Sequence, residues 1–152
     1  MCLLAGFLAA IDSMVNSQKS LSEQFLELQE EYGYYYPSKA GADVKGVSVE
    51  EWQEYKQKVL NILLHDLFKI GDTVIIGDTA KCISHINTLD GIKLIFEDKS
   101  WILLRPSGTE PKFRYYFELV SDSPIPDITA QLRAYENAAS QILQKARDLV
   151  DR

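Results

Sequence analysis

The feature that most constrains the fold is a change in the spacing of hydrophobic residues, which occurs at Gly71 and is reversed at Ile128. Between these positions apolar and β-branched residues alternate with polar ones, as in strands that bury one face. Outside them apolar residues recur every three or four positions, as on amphipathic helices. Asp90-Gly91 predicts a two-residue hairpin. Strands are predicted at 73–76, 81–87, 92–97, 101–104 and 112–120.

Helices are predicted on both sides of these strands. Ser48 and Glu51 form a capping box, and apolar residues then recur at helical spacing to about Asp66. A single apolar stripe runs along residues 128–149. Because an antiparallel sheet buries one face under its helices, we expect an α+β domain. It should contain an antiparallel sheet of about four or five strands, with two helices packed on one face.

The start of the chain has a different character. Residues 2–16 are predicted to form a helix that is apolar on most sides, and a second helix begins at a capping box, Ser20 with Glu23. The segment 37–47, PSKAGADVKGV, is rich in glycine, proline and small polar residues, which indicates a linker or domain boundary. An apolar helix at the first residue suggests a piece of a larger protein. We therefore expect two parts, residues 1–37 and residues 38–152.

Composition and charge narrow the classes of partner. Of 152 residues, 46% are hydrophobic and 25% are charged, as in ordinary soluble domains. A net charge of −6 disfavours nucleic acid and acidic membranes as main partners, because both are polyanions. Cys2 and Cys82 are the only cysteines, and no apolar stretch reaches the roughly 18 residues of a membrane span. These properties favour a cytoplasmic protein.

The unusual segment is RPSGTEPKFR, residues 105–114, which lies between two apolar strands. Two prolines and one glycine shape it into a tight, stiff loop, and Gly108 lets a backbone N–H approach a ligand closely. The planar guanidinium group of arginine can donate to two phosphate oxygens at once. We therefore expect this segment to bind a small dianion, with a plain solvated hairpin loop as the alternative. Glu110 is expected to hold a basic side chain in place. The other polar members are cations and hydroxyl donors: Arg105, Lys112 and Arg114, with Ser107 and Thr109.

Other residues with chemical potential are expected to have structural roles. His65 lies near a helix end, where its charge would complement the helix dipole. His85 lies in a strand without a second metal ligand near it in sequence. Cys82 is expected to be a buried core thiol, and Asp90 to belong to the hairpin turn.

The stretch RPSGTEPKFRYYFE resembles the phosphate-binding loop in the last domain of the α-D-phosphohexomutase family, which includes phosphoglucomutase, phosphomannomutase and phosphoglucosamine mutase. HINTLDGIKLIFEDKSWILL resembles the strands that lead into this loop. KSLSEQFLELQEEYGYYY resembles the closing helices of the family's third domain. EEYGYY and KFRYYFEL are most similar to the phosphoglucomutase branch, which also includes phosphopentomutases.

The resemblance implies that residues 1–37 end a third mutase domain and that residues 38–152 are the C-terminal phosphate-binding domain. No segment resembles the family's phosphoserine, magnesium or sugar-selecting loops. We therefore expect no catalytic residue and no metal ligand in this chain, and no activity from the chain alone. The residues implied to bind the substrate's phosphate are Arg105, Ser107, Gly108 and Thr109, with Lys112 and Arg114 on their flank.

In a full-length enzyme the resemblance implies transfer of a phosphoryl group from a phosphoserine to the sugar, reorientation of the bisphosphate, and transfer back. Mg²⁺ and a sugar bisphosphate activator are the implied cofactors. In that reaction, the implied role of this chain is to clamp the phosphate that is not reacting. Its partners are a phosphosugar and the enzyme's other domains. Interconversion of glucose 1-phosphate and glucose 6-phosphate is favoured, with mannose or pentose phosphate as alternatives. A stand-alone, non-catalytic phosphosugar-binding module is the alternative function.

Overall fold

The computed structural model describes residues 2–17 and 19–151. It divides into two compact units. The first contains the residues up to Tyr35 and Ser121–Pro124, and the second contains Tyr36–Val120 and the residues from Ile125 onward. In chain order the elements are α1 (Cys2–Ser17), α2 (Leu21–Tyr32), β1 (Tyr34–Asp43), α3 (Val49–Ile62), a π-helical turn (Leu63–Leu67), β2 (Thr73–Ile76), β3 (Thr79–Asn87), β4 (Ile92–Phe96), β5 (Trp101–Pro106), β6 (Lys112–Ser121) and α4 (Ile128–Val150).

The strands form one sheet in the order β1-β6-β5-β4-β3-β2, and the pairs from β2 to β6 are antiparallel. Helices α3 and α4 contact each other and share one core with the sheet. The α+β class with two helices on one face is therefore confirmed. The sheet has six strands rather than four or five, because β1 adds an edge strand that the hydrophobic pattern did not indicate.

Burial alternates along the central strands, as the period-two pattern predicts. The face of the sheet that packs on α3 and α4, here called the inner face, carries fully buried side chains such as Leu94, Ile102 and Phe113. The opposite face, here called the outer face, carries half-buried or exposed residues. On β5 and β6 these outer-face residues are Trp101, Leu103, Arg105, Lys112, Arg114, Tyr116 and Glu118.

The segment 37–47, predicted to be a linker or domain boundary, is not a linker over residues 37–43, which belong to β1. Ala40 and Ala42 pack against the core, whereas Lys39 lies on the exposed side. Gly41 permits close strand packing, since a Cβ at this position would lie 2.9 Å from the Phe113 carbonyl oxygen. The small residues therefore allow an edge strand to pack tightly, rather than making the segment flexible.

The first unit carries many apolar side chains in solvent. Helix α2 begins at the predicted Ser20–Glu23 capping box and has no buried residue. Phe25 is 58% exposed and Tyr32 is 64% exposed. Together with other side chains of α2 they line a small apolar groove. Such a surface is typical of one that another protein segment covers.

Cys82 does not lie in the core as expected, but is half-buried. Its neighbour Ile83 is fully buried and takes the core position, and adjacent residues of a strand point to opposite faces. The Cys82 thiol lies 3.7 Å from the Gly71 carbonyl oxygen. Desolvation raises the pKa of this thiol, which disfavours its thiolate form.

Candidate functional site

The loop between β5 and β6 is held closed by its own backbone. The Ser107 N–H donates to the Lys112 carbonyl (2.8 Å), and the Lys112 N–H donates to the Glu110 carbonyl (2.7 Å). The Pro111 carbonyl accepts from the Val44 N–H at 2.8 Å, just beyond the end of β1. These bonds fix the loop as a short, rigid connection at one end of the sheet.

Two side chains near the N-terminus of α3 donate hydrogen bonds to carbonyl groups of the loop. The Trp52 indole Nε1–H donates to the Ser107 carbonyl at 2.8 Å, and the Gln53 amide donates to the Gly108 carbonyl at 3.0 Å. Trp52 is fully buried, and its ring packs edge-on against Phe113 with centroids 5.4 Å apart. The start of α3 is itself fixed by the capping box at Ser48.

These two hydrogen bonds determine where the loop's backbone donors point. In a trans peptide the C=O and the following N–H point in opposite directions. Because the carbonyls of Ser107 and Gly108 face α3, the N–H groups of Gly108 and Thr109 point away from it. Within residues 2–17 and 19–151, neither N–H donates to a protein acceptor. A Cβ added at Gly108 would meet no atom within 4 Å. Successive N–H groups that point the same way can donate together to one anion.

Arg105 is the cation near the end of β5. Its Nε lies 3.1 Å from the Asp90 carboxylate, at the turn of the β3–β4 hairpin, and its side chain is 46% exposed. Both residues line a groove of about 390 Å³, together with Gln57 and Asn61 of α3. Asp90 therefore does more than form the turn, because it also holds the arginine.

Lys112 and Arg114 lie on β6 and line a different groove. Lys112 Nζ is 3.4 Å from the Asp43 carboxylate, and Arg114 is 3.5 Å from the Glu110 carboxylate. Glu110 thus contacts a basic side chain, as expected, in an ion pair that is exposed to solvent. The groove that both cations line has a volume of about 400 Å³.

The structure thus brings the predicted residues to one end of the sheet but not to one point. Arg105 and Arg114 are directly opposite each other in the β5–β6 register. They nevertheless line separate grooves. Ser107 is only 9% exposed, whereas Gly108 and Thr109 are exposed.

Four residues around the site were missed by the sequence reasoning, namely Trp52, Gln53, Asp90 as an arginine partner, and Lys39. Of these roles, only that of Trp52 could be inferred from the sequence. A buried indole N–H needs an acceptor, and its own helix face provides none. Lys39 was assigned to the predicted linker. It lines the groove next to Lys112 and Arg114.

Metal-ligand clusters and membrane-spanning helices are absent from the residues that the structure describes. Among those that the structure describes, no three His, Cys, Asp or Glu side chains are grouped as metal ligands would be. His85 is exposed on β3, and its Nδ1 lies 3.2 Å from the Ser84 hydroxyl. None of the described helices is both long and apolar enough to cross a bilayer.

Comparison with known proteins identifies the family to which these features belong. Residues 47–134 match the model of the phosphoglucomutase/phosphomannomutase C-terminal domain. This range runs from the turn before α3 into α4 and includes the whole loop. It covers more than half of the chain, so the chain belongs to the phosphoglucomutase/phosphomannomutase family.

The names of individual relatives refer to several different substrates. The chain is 33% identical over 130 residues to a phosphoglucomutase of Staphylococcus saprophyticus, a match that covers 76% of this chain and 22% of the relative. It is 42% identical over 52 residues to a probable phosphoglucosamine mutase of Methanothermobacter thermautotrophicus, covering 34% of this chain and 12% of the relative. The chain therefore spans a small fraction of the relatives it matches.

A solved structure supports the same fold. The parafusin phosphoglucomutase from Paramecium, in its open form, superposes with a TM-score of 0.50 over 87% of this chain and 25% of that chain. The sequence identity is 17%, so this likeness concerns the fold.

Proposed function

We propose that this chain supplies the C-terminal phosphate-binding domain of a phosphohexomutase and clamps the phosphate that is not reacting. The observation that carries the proposal is the pair of outward N–H groups at Gly108 and Thr109, fixed by Trp52 and Gln53. Arg105 lies on β5, just before the loop, and adds a charged, planar donor.

The chemistry of this part is binding and positioning. Charge-assisted hydrogen bonds to a dianion are each worth about 1.5–3 kcal/mol. Holding one phosphate of a sugar phosphate orients the other end of the molecule toward the reacting group. Binding then supplies part of the entropy cost of aligning the reacting atoms. Loop donors on a rigid scaffold suit this role, because they need no rearrangement when the phosphate arrives. In this proposal Thr109 adds its hydroxyl, while Lys112 and Arg114 add positive charge on the flank.

We propose a glucose phosphate as the substrate of the whole enzyme. The support is that the match to a phosphoglucomutase extends over 76% of this chain. The probable phosphoglucosamine mutases match 21–34% of it. The remaining parts of the mutase would come from other domains, with residues 1–37 as the end of the third domain. Those domains would hold Mg²⁺ and the sugar bisphosphate activator.

The test is binding of glucose 1-phosphate to the 152-residue chain, followed by amide chemical shifts. We expect saturable shifts at Gly108 and Thr109, with a dissociation constant of about 1 mM, because one clamp lacks the rest of a cleft. Arg105→Ala should weaken binding about tenfold or more, since it removes a charge-assisted contact.

Arg133→Ala is the matched control, because Arg133 is an exposed arginine on α4, in the helix layer. It should leave the affinity unchanged. Glucose without phosphate should cause no shift in the loop. Equal affinity for the wild type and Arg105→Ala, or an equal response to glucose, would refute the proposed phosphate clamp.

A further inference from the structure

The sheet ends at β2, which pairs only with β3 among the residues that the structure describes. The sequence of this strand, Thr-Val-Ile-Ile over residues 73–76, contains no charged residue, proline or glycine. Many proteins place such residues on edge strands, because an unpaired edge is a template for a further strand. Ile75 is 63% exposed. The edge of β2 is therefore open to pairing with another strand.

The pairing with β3 determines which backbone groups of β2 are free. In an antiparallel ladder, residues that bond to the neighbouring strand alternate with residues whose N–H and C=O point away from it. The Ile83 N–H of β3 donates to the Asp72 carbonyl at 2.8 Å. Every second residue after Asp72 therefore faces β3. Thr73 and Ile75, which lie between them, turn their N–H and C=O groups toward the open edge.

A groove of about 500 Å³ lies between β2 and α4. Ile75 and Gly77 line it on the strand side. On α4 it is lined by three alanines, two amide side chains and one arginine, namely Ala130, Ala134, Ala138, Asn137, Gln141 and Arg133. Arg133 forms no ion pair with any residue that the structure describes. The alanines leave space beside the open edge, and the arginine can accept a carboxylate from a partner.

A second copy of this chain fits the edge, because the edge is complementary to itself. A twofold axis at Val74 pairs Thr73 of one copy with Ile75 of the other, so that the outward backbone groups of both copies meet. In this register Gly77 lies opposite Gly71 of the second copy. A Cβ added at Gly71 would meet no atom within 4 Å. The residues that flank the paired strands therefore bring no side chains into conflict.

Charge complementarity also favours a second copy. The same register places Asp72 of the second copy opposite Ile76, beside the groove that Arg133 lines. One carboxylate oxygen of Asp72 accepts from the Lys69 N–H at 2.8 Å, which leaves the other oxygen for an arginine. Because of the twofold symmetry this contact forms twice. An unrelated extended peptide would supply the backbone groups but not this matched pair of charges.

We infer that two copies of this chain pair antiparallel through β2, with Asp72 of each copy directed toward Arg133 of the other. The two six-stranded sheets then form one continuous sheet. Because the edge offers only the outward groups of Thr73 and Ile75, the association is weak and depends on protein concentration. The inference goes beyond the proposed mutase role and does not rest on it, since three strands separate β2 from β6.

The test is amide hydrogen exchange of the 152-residue chain at increasing protein concentration. We expect exchange at Thr73 and Ile75 to slow as the concentration rises, because their N–H groups become paired. Val74, which already bonds to β3, should be protected at every concentration. The measurement is repeated with Phe25→Asp combined with Leu28→Asp, which separates this contact from association through α2. The slowing should persist in that variant.

In the same double variant, Ile75→Lys should weaken self-association about tenfold or more in sedimentation velocity, because a charge on an edge strand opposes pairing. Leu89→Lys is the matched control, since it makes the same kind of change at a side chain that is 93% exposed in the β3–β4 turn. It should leave the association unchanged. Both lysine variants should keep the urea midpoint of their parent.

Three results would overturn the inference. The first is exchange at Thr73 and Ile75 that stays fast at every concentration. The second is protection there that does not depend on concentration, which would show that a segment of the same chain covers the edge. The third is an equal effect of Ile75→Lys and Leu89→Lys on self-association. If Ile75→Lys lowers the urea midpoint, the exchange of the wild-type chain decides.

Discussion

Trp52→Phe is the change that tests most directly how α3 shapes the loop. The phenyl ring keeps an aromatic side chain in the core but removes the Nε1–H that donates to the Ser107 carbonyl at 2.8 Å. Trp52 is fully buried and Ser107 is 9% exposed, so water is poorly placed to replace the donor. The substitution therefore leaves a buried carbonyl without a partner.

The expected cost follows from this burial. A buried acceptor that loses its only partner costs about 1–3 kcal/mol. The smaller ring also leaves a cavity beside Phe113, which brings the expected total to about 2–4 kcal/mol. With a urea dependence of about 2 kcal/mol per molar, the unfolding midpoint should fall by about 1–2 M.

Phosphate binding should weaken as well. Without the Trp52 donor the Ser107–Gly108 peptide can rotate, so the Gly108 N–H no longer points reliably away from α3. Loss of one charge-assisted hydrogen bond should reduce the affinity about tenfold. The measurement is a phosphate titration in the absence of urea, where the variant is still folded.

Trp101→Phe is the matched control. It also removes an indole donor, the one that Trp101 contributes to the Glu118 carboxylate at 3.1 Å, but both residues are half-buried on the outer face. Water can replace this donor, so we expect a cost of about 0.5–1.5 kcal/mol and no change in phosphate affinity. If Trp52→Phe binds phosphate as tightly as the wild type, the indole does not set the loop's orientation.

Three further predictions concern charge and surface. Asp90→Asn should keep an acceptor for Arg105 but remove a negative charge, so the affinity for phosphate should rise about two- to fivefold at low salt. Asp90→Ala also removes the acceptor and should lower the affinity. Equal effects of the two variants on phosphate affinity would contradict this prediction. A hydrogen bond from the N-cap backbone lowers the pKa of Glu51 below its usual 4.5, so its ionised form stabilises α3 above that pH and the contribution is lost as the pH falls through the lowered pKa. The urea midpoint of Glu51→Gln should therefore lie below that of the wild type near neutral pH, and this gap should close in acid; a constant gap would argue against the cap. Phe25→Asp combined with Leu28→Asp should reduce self-association in sedimentation velocity, because both side chains are more than half exposed. Unchanged association would show that this apolar surface is not what drives it.

The sequence by itself determined the elements that depend on local periodicity. The central strands alternate buried and exposed residues, and α3 and α4 each bury one stripe. Both capping boxes form where the pattern placed them. Each of these features involves residues within a few positions of one another, so neighbouring residues are sufficient to specify them.

The tertiary structure alone decided how the site is assembled. Trp52 is 55 residues from Ser107 in the chain, and nothing in the local sequence indicates that they meet. Residues 37–43 have the composition of a linker, yet they become an edge strand because β6 offers unpaired backbone groups and small side chains fit against it. The cations lie close together in sequence, but in the folded chain Arg105 lines a groove with Asp90, whereas Lys112 and Arg114 line a groove with residues of β1. Periodicity is a local property of the backbone, whereas hydrogen-bond partners and groove walls come from segments that only the folded chain brings into contact.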